Sequence, residues 1–174
     1  MSTSEQEEEV ARTRRQRHHD VIIKVAESID ASPEKGGLTN GARAELRRLN
    51  AESPSAATFW RLVVAYELPE GVVSRWAVLF RALVTASRTL DRRVPLGAAL
   101  ASAGYSELRL TRLLEARDRR LRDEVRRLGD YFHSKHQPVD WRDACDLLMN
   151  EDDWIRRRIA RSYFGRLHRE QDAS

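Results

Sequence analysis

Apolar side chains recur every three or four residues through most of the chain, the spacing that places them on one face of an α-helix. The pattern predicts a series of helices bounded by polar caps, glycines and prolines. From Asp20, the run VIIKVAESI predicts a first helix that ends before Ser32-Pro33. Asn40 is predicted to cap the next helix, GARAELRRL, and Ser53-Pro54 to begin a third, which carries FWRLVV.

The segment PEGVVSRWAVLFRALVTASRTL is predicted to form the most buried helix, because its apolar residues cover a broad face. LGAALASAGYSE predicts a short helix of small residues that ends at Gly104. Asp140 opens a helix over WRDACDLLM, and Asn150 with Asp153 opens the last one. No alternating run is long enough to require a strand, so the pattern predicts an all-α helical bundle.

Polar and charged stretches suggest how these helices are divided. Residues 1–18 are an acidic block followed by a basic block, which predicts a charged N-terminal tail, either mobile or a helix extension with little burial. TLDRRVP contains a short basic linker at residues 90–95. We therefore predict an N-terminal helical lobe over residues 19–89 and a C-terminal helical lobe over residues 96–174.

The charge of the chain comes almost entirely from arginine. Of 31 basic residues 28 are arginine, the formal net charge is +4, and the pI is about 9.6. Guanidinium groups match phosphate oxygens well, but an arginine excess also follows from a GC-rich genome, and composition leaves both explanations open. The charge is compatible with nucleic-acid binding without establishing it.

Several function classes find no support in the sequence. The chain lacks a Gly-rich phosphate loop and the common hydrolase and metalloprotease motifs, so we expect neither catalytic residues nor cofactors. His133 and His136 have no further ligand at suitable spacing and are interpreted as a surface pair, with no metal site. Cys145 is expected in the core. Without a run of about 20 apolar residues or a signal segment, we expect a cytoplasmic protein with no membrane partner.

The stretch TRLLEARDRRLRDEVRRL, residues 111–128, holds seven arginines. On one continuous helix, the arginines of this region would form one line opposite the apolar stripe and a second line about 80° away from the first. These lines are Arg112, Arg119 and Arg126, and Arg109, Arg120 and Arg127. Arg117 falls inside the stripe, which favours a break near Ala116 with Asp118 capping a second helix.

Two interpretations of these arginines stay open from the residues alone. Between residues 105 and 128, eight arginines accompany five acidic residues, so most could simply pair with carboxylates on a solvated face. The surplus instead allows a track for phosphates, which would be read without sequence preference. No aromatic residue alternates with the arginines, so contact with phosphate is expected rather than stacking on bases.

The order of the segments resembles a known family. LGAALASAGYSELRLTRLLEARDRRLRDEVRRLGDYF followed by VDWRDACDLLM is similar to the C-terminal half of the small subunit of the type I-E CRISPR Cascade complex, the CasB family. Upstream, GARAELRRL and FWRLV stand where that family has a basic helix and an aromatic helix. The resemblance covers about residues 38–168. TLDRRVP is shorter than the basic loop that the family often has there.

This resemblance implies an all-helical, non-catalytic subunit of a crRNA-guided surveillance complex. Two copies would contact the backbone and large subunits, and would hold the crRNA–target heteroduplex and the displaced DNA strand open as an R-loop. Arg109, Arg126 and Arg127 match family arginines, and Arg81 matches a basic residue of the N-terminal lobe. A stand-alone helical DNA-binding regulator and a structural adaptor for acidic protein partners are the alternatives.

Overall fold

The computed structural model describes residues 3–150 and 152–173. The helices of this part of the chain are α1 (Thr3–Asp30), α2 (Asn40–Arg47), α3 (Ala57–Ala65), α4 (Val73–Thr85), α5 (Leu96–Ser102), α6 (Glu107–Glu115), α7 (Asp118–Lys135), α8 (Trp141–Met149) and α9 (Asp153–Asp172). Single 3₁₀ turns cover Pro33–Lys35 and Glu70–Val72. Among the described residues the only extended pairing is one parallel bridge between Leu90 and Val139. The predicted all-α helical bundle is confirmed.

Helix α1 begins well before the predicted start at Asp20. The charged segment from residue 3 to residue 18 continues the helix, and its side chains from Ser4 to Arg14 are exposed. Burial starts near Val21, where apolar residues first recur at helical spacing. Of the two forms considered for the predicted tail at 1–18, the described part takes the helical one; residues 1 and 2 lie outside it.

Three predicted helix starts differ from the observed ones. Helix α2 is capped by Thr39, whose Oγ1 accepts from the Ala42 amide at 3.2 Å, because Asn40 is already in the first turn. Helix α3 begins at Ala57, since the residues after Pro54 are extended. Helix α9 begins at Asp153, with Asp152 at the cap position in place of Asn150.

The core is built around α4, whose Trp76 and Phe80 are fully buried as predicted. Helix α4 packs on α7, α2 and α1, while α5 packs along α9. Two glycines allow these close approaches. A Cβ on Gly97 would lie 2.0 Å from the Ile159 carbonyl oxygen, and one on Gly129 would lie 2.8 Å from Cα of Ala82.

One cluster of buried side chains runs through helices on both sides of the predicted linker. The linker itself is bonded to the segment before α8, because the Asp91 amide donates to the Val139 carbonyl at 3.1 Å and the Asp140 amide donates to the Val94 carbonyl at 2.7 Å. These bonds fix α5 beside α8. The division into lobes at 19–89 and 96–174 stays a prediction, because packing between two segments does not show whether each folds alone.

Helix α8 carries three buried carboxylates, Asp140, Asp143 and Asp146, and each has a partner. Asp140 caps the helix as predicted and pairs with Arg142. Asp143 accepts from the Leu96 amide at 2.8 Å, at the first residue of α5, and pairs with Arg158. Burial raises the pKa of Asp143, while the Leu96 amide and Arg158 oppose that rise.

Candidate nucleic-acid interface

The arginine-rich stretch forms two helices, because the chain turns at Ala116 and Arg117. Both residues have extended backbone angles, with φ and ψ of −62° and 144° at Ala116. The break predicted from the position of Arg117 is confirmed, and the continuous helix is not observed. The predicted cap is wrong, since Arg117 occupies the cap position of α7 and Asp118 is its first residue.

Guanidinium groups stabilise this break. Arg156 of α9, which is buried, donates to the carbonyl oxygens of Leu114 at 2.9 Å and Ala116 at 3.0 Å. Arg117 donates through Nη1 to the same two oxygens at 3.0 Å each. Carbonyls at a helix end have no partner within the helix, so these side chains satisfy them and fix where α7 begins.

The break separates the arginines into sets. Helix α7 carries two rows, Arg119 with Arg126 and Arg120 with Arg127, each spaced seven residues or about 10.5 Å apart on one face. Arg109 and Arg112 belong to α6. The predicted alignment of Arg112 with Arg119 therefore does not follow from helical geometry.

Arg109 and Arg127 come together on opposite sides of the break, around Tyr105. The Arg109 guanidinium carbon lies 5.9 Å from the centroid of the Tyr105 ring. Burial, followed by the negative charge of Glu124, raises the pKa of Tyr105 to about 12, although Arg109 and Arg127 act to lower it. The ring therefore stays neutral near pH 7, and the charges of both arginines act on it.

Most of the predicted site arginines lack an ion-pair partner. Arg112, Arg119 and Arg120 are exposed and Arg126 is half-buried, and none of them pairs with a carboxylate in the part of the chain that the structure describes. Arg127 does pair with Glu124, at 2.9 Å, although 63% of its side chain is accessible. The simple solvated face, in which arginines pair with nearby carboxylates, describes Arg127 but not the other four.

Arg81 lies apart from these rows, on α4. It is half-buried, and its Nη1 donates to the carbonyl oxygen of Leu49 at 2.9 Å, just after α2. This bond holds α2 against α4. A contact between Arg81 and nucleic acid stays a prediction.

The binding residues predicted from the sequence did not include Arg47, Arg88 or His133. The fold brings these three residues to one cavity between α2 and the end of α7. Arg47 is an exposed arginine of GARAELRRL, and nothing in its helix distinguishes it from Arg48. A signal was present for His133, since it lies seven residues after Arg126 and so continues that row.

Residue types that support catalysis or metal binding are dispersed or buried. Within residues 3–150 and 152–173 there is no group of three or more potential metal ligands. His133 and His136 are exposed at the end of α7, as predicted. Cys145 is fully buried, and burial raises the pKa of its thiol well above the usual value, which disfavours a thiolate. No helix in the described residues is long and apolar enough to cross a membrane.

These features define a class of protein: an all-helical protein with exposed arginines on two adjoining helices, most of them unpaired within the part of the chain that the structure describes. The family model of CRISPR-associated protein Cse2 matches residues 42–164, which span α2 through most of α9. The chain therefore belongs to the Cse2 family, the small subunit of the type I-E CRISPR Cascade complex. No curated protein and no solved structure matches the chain.

Proposed function

We propose that the chain is a non-catalytic Cascade subunit that binds nucleic-acid backbone through the arginines of α6 and α7. The observation that carries this proposal is a set of exposed arginines that have no carboxylate partner among the described residues, Arg112, Arg119 and Arg120. Leaving such groups unpaired brings no benefit to folding, whereas they can displace counterions from phosphates. Arg109, Arg126 and Arg127 extend the same surface.

The backbone that these arginines contact would be that of an R-loop. Exchange of a DNA duplex for an RNA–DNA heteroduplex is nearly balanced in energy, so modest contacts to backbone can stabilise the open state. In this proposal the chain holds the crRNA–target heteroduplex and the displaced DNA strand, beside the backbone and large subunits and a second copy of itself. No pocket for a base is needed.

The exposed face of α7 also bears on the two alternatives. Recognition helices of stand-alone regulators commonly expose Asn, Gln or Ser beside their arginines to read base edges, and α7 offers only Ser134 near its end. An adaptor would use the same arginines to pair with the carboxylates of an acidic protein.

Binding of the full chain to labelled single-stranded oligonucleotides tests the proposal. We expect the same affinity for unrelated sequences, and a steep fall between about 50 mM and about 200 mM salt, with log K falling by roughly 0.7 per phosphate contact for each unit of log salt. Strong preference for one sequence would favour the regulator. Absence of binding at the lower salt would contradict direct contact.

A further inference from the structure

A second basic site lies beyond the two rows of α7. A cavity of about 540 Å³ opens between the end of α1, helix α2, the segment after α4 and the end of α7. Arginine and histidine side chains from three of these elements line it: Arg43 and Arg47 from α2, Arg88 after α4, and His133 and His136 from α7. None of these five residues belongs to the surface described above.

The charge around this cavity is unbalanced. Its one carboxylate, Asp30, accepts from the backbone amide of Arg88 at 2.8 Å and so helps to hold that residue at a φ of 65°. The side chains of Arg47 and Arg88 are exposed and pair with no carboxylate among the described residues. Three guanidinium groups therefore surround the cavity against a single carboxylate.

Arg43 makes the floor of the cavity suitable for an anion. Its guanidinium donates to the carbonyl oxygens of Ile29 at 2.9 Å and Ala31 at 2.6 Å, and to Oδ1 of Asn40 at 3.2 Å. Carbonyls at the end of α1 would otherwise repel a negative ligand. Arg43 covers them and keeps its own charge in place.

The backbone carbonyls at the end of α7 are also occupied by hydrogen-bond donors. The amide of His136 donates to the His133 carbonyl, and the amide of Gln137 donates to the Phe132 carbonyl, each at 3.2 Å. His136 adopts a left-handed conformation that ends the helix, and its ring centroid lies 6.4 Å from that of His133. Two imidazoles are thus exposed at the cavity while the carbonyls beneath them are occupied.

The cavity continues one row of α7. Arg119, Arg126 and His133 are seven residues apart in turn, so they share a face and advance about 10.5 Å at each step. On the same side, Arg122 binds Glu52 at 3.0 Å, which joins α7 to the segment after α2. A strand that follows the row would therefore arrive at the cavity.

We propose that this cavity binds a phosphodiester group of a nucleic-acid strand that follows the row from Arg119 through Arg126. Arg47 and Arg88 supply paired donors for phosphate oxygens, and His133 and His136 supply further N–H donors. The described lining contains no Trp, Tyr or Phe, so the contact is with backbone and not with a stacked base. The inference rests on the proposed function and adds a second binding element to it.

The test compares three double variants of the full chain for binding to labelled oligothymidine. Arg47→Gln with Arg88→Gln removes charge from the cavity, and Arg119→Gln with Arg126→Gln removes it from the row on α7. Arg93→Gln with Arg166→Gln is the control, because it removes the same charge from arginines already paired with Asp91 and Glu170. Circular dichroism checks that each variant is folded.

We expect the cavity variant to show a salt slope shallower by about 1.4, equivalent to about 25-fold weaker binding at about 0.1 M salt if counterion release alone is lost. If the α7 variant loses affinity while the cavity variant equals the control, this inference is wrong and the proposed function stands. If the unmodified chain does not bind at all, both are wrong.

A second measurement separates nucleic acid from free phosphate. Imidazole NMR signals of His133 and His136 should shift when oligothymidine is added, over the same concentrations at which the labelled oligothymidine binds. Inorganic phosphate at equal phosphate concentration and ionic strength should leave them nearly unchanged. Equal shifts with both would identify a site for small anions and overturn the assignment to a nucleic-acid strand.

Discussion

Nε of Arg156 on α9 donates to the carbonyl oxygen of Leu114 on α6 at 2.9 Å, across 42 residues of sequence. The bond crosses the point where the arginine-rich stretch bends. Arg156 is 7% exposed, so its removal leaves the carbonyls of Leu114 and Ala116 away from water with only Arg117 as a donor. The start of α7 depends on a residue far along the chain.

We therefore expect Arg156→Met to lower the free energy of unfolding by about 1.5–3 kcal/mol, the usual contribution of hydrogen bonds to a charged group, because Arg117 alone then donates to the two carbonyls. Urea denaturation followed by circular dichroism measures this change. Arg157→Met is the matched control, because Arg157 is exposed on the same helix, and it should change the unfolding free energy little. Equal losses in both variants would mean that the bonds to α6 contribute nothing specific.

Gly97 predicts a second effect on stability. Because a Cβ there would lie 2.0 Å from the Ile159 carbonyl oxygen, Gly97→Ala must push α5 away from α9. We expect a loss of about 1–3 kcal/mol in unfolding free energy, as for other overpacked cores.

Gly165→Ala, within α9, should instead raise the stability of the protein. Its nearest neighbour would be Nη1 of Arg169 at 3.9 Å, so the added methyl has room. Alanine is favoured over glycine within a helix by about 0.5–1 kcal/mol, and this variant should be more stable than the parent. Thermal unfolding of the Gly97→Ala and Gly165→Ala variants measures both effects. A Gly97→Ala variant more stable than the parent would refute the close packing of α5 on α9.

The periodicity of apolar residues was sufficient to predict the helices and the burial of Trp76 and Phe80, because an amphipathic pattern directly reports which face is covered. Positions of the caps were less predictable. Thr39 and Asn40 are both good cap residues, and only the path of the preceding turn decides between them.

The candidate site could be predicted only in part, for a different reason. Helical spacing identifies the rows on α7, since both members of each row belong to one helix. Arg109 and Arg127 both act on Tyr105 because the chain bends at Ala116, and the bend is held in part by Arg156, which no local pattern connects to it. Likewise Arg47 reaches His133 only through packing of α2 and α7 on α4.

His18 makes stability depend on pH. Burial, followed by the positive charge of Arg14, lowers the pKa of His18 below its usual 6.5, and its ring packs edge-on against Trp76 at 5.4 Å. As the pH falls below about 6.5, the unfolded chain binds a proton here that the folded chain does not. The contribution of His18 is therefore fully present above that pH and is lost as the pH falls.

His18→Gln should reduce the difference in unfolding free energy between about pH 7.5 and about pH 5.5, because glutamine does not titrate. His168→Gln is the control, since it removes an exposed imidazole near the end of α9. Urea titrations at the two pH values give the comparison. An unchanged pH difference in the His18 variant would show that its burial does not affect stability.

Arg109 and Arg127 test the proposed surface within the assembled complex. The Arg109 guanidinium lies over the Tyr105 ring, Arg127 belongs to the other helix, and both arginines are exposed, although Nη1 of Arg127 also binds Glu124. Replacing both with alanine removes two charges but leaves the buried carboxylate of Glu124 without its Arg127 partner, so circular dichroism must confirm that the variant subunit is folded. We expect the complex to form with the variant subunit and to bind target DNA more weakly, with a shallower salt slope.

The control for this experiment is Arg93→Ala with Arg166→Ala, which removes equal charge from paired arginines outside α6 and α7. Target binding is measured at two salt concentrations, because a lost phosphate contact weakens binding more at low salt. A subunit that assembles normally, with target affinity and salt slope equal to the control, would place the nucleic-acid surface elsewhere. A weaker and less salt-dependent complex only in the Arg109/Arg127 variant would locate phosphate contact at Tyr105, where the bend at Ala116 brings α6 and α7 together.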